Sequence, residues 1–169
     1  SRAAEYAAQA SESVINREQV DREKARVYAP VERRDGINGK ELEGGIARVM
    51  QDYCGDTKTE ELMKIGLKSL DEIRDGEATT LFARTPHELM RALEVLDILT
   101  CAEIITHSCL ARKASTSWFD FHRLDFPEKD PPEWRKWVTV RLEDDQVRVG
   151  KLPLDYYAPL KENYEKHKG

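Results

Sequence analysis

Several things are scarce or missing in this 169-residue chain, and each excludes a class of protein. No apolar run approaches the roughly 18 residues that suggest a bilayer span, and no charged-then-apolar opening marks a signal peptide. A cytoplasmic protein without membrane insertion is the expectation. Cysteine is limited to Cys54, Cys101 and Cys109, an odd number with no Cys-x-x-Cys spacing, so neither a disulfide framework nor a zinc ribbon is indicated. On one helix Cys101 and Cys109 stand about 12 Å apart, too far to bridge, and all three are expected to be small buried residues of a reducing compartment. With four histidines in the chain, Glu103 and His107 offer two ligands on one helix face but no third, so no metal is expected. The dinucleotide fingerprint, the phosphate loop and the nucleophile elbow are all missing, and no cofactor is expected to bind within this segment. A net charge of −5 argues against nucleic acid as a partner.

What is present is a soluble composition, 35% charged and 40% hydrophobic, of a size that buries one ordinary core. The chain opens on Ser1 and an alanine-rich stretch, which suggests a piece of a longer protein. Residues 1–27 are rich in helix formers and read as one or two helices. Pro30 to Gly39, with Asp-Gly and Asn-Gly pairs, reads as a connector. From Lys40, Leu42, Ile46, Val49, Met50 and Tyr53 follow a helical period up to Cys54-Gly55. Thr57-Lys-Thr-Glu60 is a capping-box pattern opening a helix that carries Met63, Leu67 and Leu70 and stops at Asp75-Gly76. Thr85-Pro86-His87-Glu88 is a stronger start signal. It opens a long helix from Pro86 to about Lys113, with Leu89, Met90, Leu93, Leu96, Leu99, Ala102, Ile105, Cys109 and Leu110 on a face widened by Val95, Ile98 and Ile104. A helix with so broad an apolar face is a central member of a bundle. Trp137–Leu142 and Gln146–Gly150 alternate as a β-hairpin. Lys151 to Gly169 reads as an extended tail held by Tyr156, Tyr157 and Tyr164.

The expected fold is therefore mainly α, a three- to four-helix bundle followed by a small C-terminal β-hairpin and tail. Its divisions are 1–114 for the helices, 115–136 for a loop and 137–169 for the hairpin and tail. The loop is the most informative part, since it is dense in aromatics, charges and prolines. It runs through Ser115-Thr116-Ser117-Trp118 and Arg123-Leu124-Asp125-Phe126-Pro127 to Pro131-Pro132-Glu133-Trp134. This order resembles the C-terminal domain of the succinate dehydrogenase and fumarate reductase flavoprotein family. There a Ser-Arg-Gly stretch leads into Arg-x-Asp-Tyr/Phe-Pro and an acidic segment ending in Trp. The Ser-Thr-Ser-Trp entry and the Pro-Pro-Glu-Trp end look more like the branch containing the adenylylsulfate reductase α subunit. Arg2-Ala-Ala-Glu-Tyr-Ala-Ala8 is similar to the end of the family's last flavin-domain helix.

The resemblance implies a spectrin-repeat-like helical domain of an FAD-dependent oxidoreductase, with adenylylsulfate, AMP and sulfite as the expected reactants. A dicarboxylate enzyme of the fumarate or succinate type and a free-standing helical interaction module are the alternatives. FAD and the chemistry are implied to lie in a preceding flavin-binding domain, with an iron-sulfur subunit as partner and this segment inactive alone. Within the loop, Arg123 either binds an anionic group through its planar fork or staples the loop through neighbouring carboxylates. Arg123 and Asp125 stand two apart just before a proline, so both side chains can point to one side of an extended strand. The resemblance favours the staple, and Arg123 and Asp125 are both read as staples. His122 is a candidate proton donor or a packed residue. Trp118, Phe119, Phe121, Phe126, Trp134 and Trp137 are expected to form an aromatic cluster used for packing and interface burial. Ser115, Trp118, Phe121, Arg123, Asp125, Phe126, Pro127 and Trp134 make up the expected interface motif.

Overall fold

The computed structural model of the protein describes residues 2–11, 14–117, 119–144 and 146–153, together with 162 and 165. It is mainly helical, with small strands towards the C-terminus. The opening resolves into two helices, α1 (Arg2–Gln9) and α2 (Arg17–Glu32), and Asn16 caps the second by accepting the Gln19 N–H at 3.1 Å. Helix α2 continues through Pro30, where a connector was expected. The proline stands buried in the last turn, and its carbonyl accepts the Ala83 N–H at 2.8 Å, so a tertiary contact outweighs the local signal.

Helix α3 (Gly39–Cys54) starts in a reciprocal box in which Asn38 accepts the Glu41 N–H at 3.0 Å and Glu41 accepts the Asn38 N–H at 3.2 Å. Helix α4 (Glu60–Asp75) is capped by Thr59, whose hydroxyl accepts the Leu62 N–H at 3.2 Å. The expected cap, Thr57, belongs instead to a short strand, β1 (Thr57–Lys58), because two threonines in register compete and strand pairing takes the first. Gly66 brings α4 close to α3, since a Cβ there would stand 2.8 Å from Tyr53 Cβ. A 3-10 turn (Glu77–Thr80) leads towards α5 (Pro86–Ala111), capped by Thr85 as its sequence predicts and ending just short of Lys113.

Helix α5 touches α2, α3 and α4 and both strands of the C-terminal hairpin, which makes it the central element. The core joins Leu42 and Ile46 of α3, Leu70 of α4, Leu81, and Ala92, Val95, Leu99 and Ala102 of α5. The buried stripe of α5 is narrower than its apolar sequence predicts. Met90, Ile98, Ile104 and Ile105 are exposed, because the three packed helices cover only the line from Ala92 to Thr106. Cys101 faces outward for the same reason, correcting the expectation of three buried cysteines; Cys54 and Cys109 are half-buried.

Two small sheets complete the architecture. Strand β1 pairs in parallel with β2 (His122–Arg123), joining Thr57 to His122 and Lys58 to Arg123, a pairing that no sequence signal announced. Strands β3 (Lys136–Glu143) and β4 (Gln146–Pro153) form the expected antiparallel hairpin, longer than the alternation suggested, with Asp144 at φ 50° in its turn. Among the described residues no helix is long and apolar enough to cross a membrane. The tail expectation for Tyr156, Tyr157 and Tyr164 lies outside the described residues.

Candidate functional site

Helix α5 delivers the chain to residue 112 with its last carbonyls unpaired, as every helix end does. Arg123 supplies the donors. Its Nη1 donates to the Cys109 carbonyl at 2.8 Å, the Arg112 carbonyl at 2.8 Å and, more weakly, the Leu110 carbonyl at 3.4 Å. Its Nε and Nη2 form a fork on Asp125, at 2.8 Å to Oδ1 and 2.7 Å to Oδ2. The residue is 1% exposed, and its guanidinium lies 5.0 Å from the centre of the Phe126 ring. A cation at a helix C-terminus also meets the negative end of the helix dipole, which attracts it.

Asp125 extends the contact to a second helix. Its Oδ2 accepts the Glu60 N–H, at the N-terminus of α4, at 2.9 Å. The Arg123 guanidinium, seconded by that amide, holds the Asp125 carboxyl down at about 2. One ion pair thus ties the C-terminal end of α5 to the N-terminal end of α4. The strand pair β1 and β2 runs alongside, with the His122 N–H donating to Asp56 O at 3.0 Å and the Leu124 N–H to Lys58 O at 3.0 Å.

Ser115 organises the backbone around this pair. Its buried hydroxyl accepts the Arg123 N–H at 2.8 Å and donates towards the Phe126 carbonyl at 2.9 Å. Its own N–H donates to Glu128 O at 2.9 Å, and its carbonyl accepts the Asp130 N–H at 3.0 Å. Asp130 sits at φ 49°, a conformation that aspartate tolerates better than most residues, and accepts the Ser117 N–H at 3.0 Å. The Thr116 side chain, followed by that amide, lowers the Asp130 carboxyl below its ordinary range.

The expected aromatic cluster does not form as one unit. Phe119 is 97% exposed at a left-handed turn, φ 63°, and Trp137 is exposed on β3. Three of its described members, Phe121, Phe126 and Trp134, do pack, and each is met by cations. Lys58 Nζ lies 4.4 Å from the Phe121 ring centre, Lys113 joins Arg123 over Phe126, and Trp134 takes Lys151 at 4.4 Å and Lys136 at 5.0 Å. Trp118 lies outside the described residues. Pro127 is exposed just after Phe126, and Pro131 and Trp134 are buried where the loop closes. His122 is half-buried. Glu103, paired in the sequence with His107 as a ligand candidate, directs both oxygens to Arg74 at 2.6 Å, and among the described residues no group of three or more ligating side chains is placed to hold a metal ion.

Two participants escaped the sequence. Lys58 is buried to 4% exposure, yet a lysine beside a capping pattern carries no sign of burial. Arg112, paired with Asp130 at 3.8 Å and donating to the Trp134 carbonyl at 3.3 Å, sits in what reads as the basic end of a helix. Periodicity reports faces of helices, and both residues act outside them.

A mainly helical domain whose longest helix ends in a loop fixed by a buried arginine is the class that fold and site define together. The family model of the fumarate reductase flavoprotein C-terminal region matches residues 44–164, and the chain belongs to this family. Succinate dehydrogenase flavoprotein subunits of Rickettsia bellii and Rickettsia conorii are 27% and 28% identical to it, over 71% and 69% of the chain. The chain spans about a fifth of these relatives' length, 20% and 19%. Among solved structures, the Sdh1 complex of Mycobacterium smegmatis in the apo form is similar with a TM-score of 0.72 at 20% identity, over 89% of this chain and 26% of that one. A quinol fumarate reductase from E. coli gives 0.69 at 24% identity, over 90% and 27%. These structural likenesses speak for the fold.

Proposed function

We propose that this chain is the C-terminal helical domain of a flavoprotein subunit of the succinate dehydrogenase or fumarate reductase type, within an FAD-dependent oxidoreductase that interconverts dicarboxylates. Its role is positional: it braces a preceding flavin-binding domain and contributes to contacts with an iron-sulfur partner subunit. The observation that carries this reading is the commitment of Arg123. The strongest anion-binding side chain of the loop is buried and directed to Asp125 and to the carbonyls ending α5, as a staple would be. The exposed apolar residues of α5, Met90, Ile98 and Ile105, supply surface for a neighbouring domain. A spectrin-repeat-like description of the helices belongs to the same reading.

The described loop residues do not fit FAD. The packed aromatic rings that would stack an isoalloxazine are already met by lysines and arginines, and the sequence of the loop, 115–136, contains no glycine. No step of the reaction is therefore assigned to this chain, and His122 is left as a packed residue.

The adenylylsulfate reductase branch remains a second reading on account of Ser115-Thr116-Ser117 and Pro131-Pro132-Glu133-Trp134. The relatives reported above are of the succinate dehydrogenase and fumarate reductase type, which makes the dicarboxylate reading the stronger. The deciding experiment purifies the full-length parent, records its flavin absorbance and assays reduction of an artificial acceptor with succinate. Flavin with succinate-dependent turnover is the expected result. Turnover with AMP and sulfite alone moves the protein to the other branch, and a parent without flavin overturns both in favour of a helical interaction module.

A further inference from the structure

Two arginines stand near the end of α5, and only one of them is fully engaged. The Arg123 guanidinium bonds Asp125 and two carbonyls at 2.7 to 2.8 Å. That of Arg112 has nothing shorter than 3.3 Å. Its Nη1 donates to the Trp134 carbonyl at that distance, its Nη2 stands 3.8 Å from Asp130, and its buried Nε has no acceptor. Two lysines beside it are in a similar condition. Lys136 and Lys151 lie over the Trp134 ring at 5.0 and 4.4 Å, and among the described residues neither forms an ion pair, whereas Lys64 and Lys68 of α4 pair with Glu60 and Glu72. Among the described residues Asp130 is the one carboxylate paired with any of these three cations.

Arg112 and Lys136 line a groove of about 510 Å³ between α5, the turn at Phe119 and strand β3, and among the described residues no carboxylate lines it. Lys151 stands opposite Val138 of the groove in the hairpin register, and so on the same side of the sheet. The walls are apolar and in water, with Phe119 97% and Trp137 58% exposed. The turn that carries Phe119 is strained. Thr116 and Phe121 bridge across it, the Thr116 N–H donating to the Phe121 carbonyl at 3.0 Å, and between them Phe119 and Asp120 stand at φ 63° and 47°. Consecutive left-handed positions in a tight turn ordinarily take Asn-Gly or Asp-Gly, because a Cβ is disfavoured there. Folding gains no burial from a phenylalanine held this way, so the strain points to a bound state in which the ring is covered.

We propose that this groove docks an acidic segment of another protein chain, its carboxylates on Arg112, Lys136 and Lys151 and one apolar side chain between Phe119 and Trp137. The positive lining selects the charge of the segment, and the two exposed rings supply the apolar anchor. A bilayer is the poorer match, although it too takes cations with aromatics. The cations line a concave groove rather than a protruding face, and the chain as a whole carries a net charge of −5, which an anionic lipid surface repels. The inference does not rest on the flavoprotein reading, since it names a surface and the chemistry of what covers it.

The test titrates the 169-residue chain against a fluorescein-labelled peptide of glutamates and aspartates around one central leucine, read by fluorescence anisotropy. The expected result is saturable binding that weakens as salt is added. Lys136→Glu should weaken it by about tenfold or more. Trp137→Ala should weaken it with the far-ultraviolet dichroism unchanged. Phe119→Gly separates docking from folding: it should raise the urea midpoint, because glycine relieves the left-handed turn, and still weaken binding of the peptide. The same peptide with lysines in place of its acids should not bind. Absence of binding, binding to phosphatidylserine vesicles but not to the peptide, affinity unchanged in Lys136→Glu, or a lowered midpoint in Phe119→Gly would each overturn the proposal. So would binding by this chain that is lost in the full-length parent, since the parent's own preceding domain would then fill the groove. None of these outcomes depends on whether the parent oxidises succinate.

Discussion

The largest side chains buried in the helical core are leucines, isoleucine and methionine: Leu42, Ile46, Met63, Leu70 and Leu99, none more than 2% exposed. The largest fully buried in the loop that follows is Arg123, at 1%. The core is held by removal of apolar surface, worth about 1.5–3 kcal/mol for each large side chain, and tolerates approximate fit. The loop also buries Trp134 and half-buries Phe121 and Phe126, but the side chain at its centre is charged. It is held by charge-assisted hydrogen bonds that fail if one partner moves, because a buried charge without its partner costs more than the pair gained. The same chain therefore contains one region defined by area and one defined by geometry.

The comparison breaks most visibly if one residue is removed from each region. Arg123→Ala leaves the carbonyls of Cys109 and Arg112 without their donor and leaves Asp125 with the Glu60 amide, and is expected to cost about 3 kcal/mol. Leu99→Ala should cost about 3 kcal/mol through lost transfer energy and the cavity left behind. Urea denaturation followed by far-ultraviolet dichroism measures both. Tryptophan emission distinguishes them, since Trp134 is buried where the loop closes and only the arginine variant should shift its folded emission to the red. An arginine variant as stable as the parent chain would mean that the loop is held by its aromatics instead.

This division also explains what the sequence disclosed. Helices α3, α4 and α5 were readable because each repeats apolar residues with a helical period between strong stop signals, and Thr85 with Pro86 marked the start of α5 to the residue. Wherever two local signals competed, tertiary contact decided. Pro30 became the last turn of a helix, and Thr59 displaced Thr57 as a cap. The face of α5 was drawn too wide because periodicity reports which residues are apolar, not which of them a neighbour covers. In the loop, the two-residue spacing of Arg123 and Asp125 suggested that they share a side. Ser115's part in holding both strands of the loop, Lys58's burial and the β1 to β2 pairing rest on contacts distant in sequence, and no local pattern encodes them.

A smaller effect sharpens the comparison through pH. The Asp125 carboxyl is held at about 2 in the folded chain against an ordinary 3.8, so the folded state binds fewer protons than the unfolded one in that range. Its contribution is complete above about pH 4 and is lost as pH falls towards 2. Asp125→Asn should therefore be less stable than the parent at neutral pH, and the gap between the two should close on acidification. The gap produced by Leu99→Ala should persist, since no proton is involved. Denaturation midpoints for the three chains, measured across this range, check the sign. A constant gap for Asp125→Asn would show that the amide loses shape rather than charge.

The smallest expected effect comes from charge without burial. On the helix surface Arg91 pairs with Glu43 at 3.1 Å and with Glu94, and all three side chains are more than 40% exposed. Water solvates these groups as well apart as together, and ordering the long side chains offsets much of the attraction. Arg91→Gln should move the denaturation free energy by less than about 0.5 kcal/mol, and added salt should erase even that. Arg91 and Arg123 each meet carboxylate partners through the same functional group. If Arg91→Gln proved as costly as Arg123→Ala, burial would not be what separates the two regions. The carbonyls that Arg123 satisfies at the end of α5 would then be a minor part of its role.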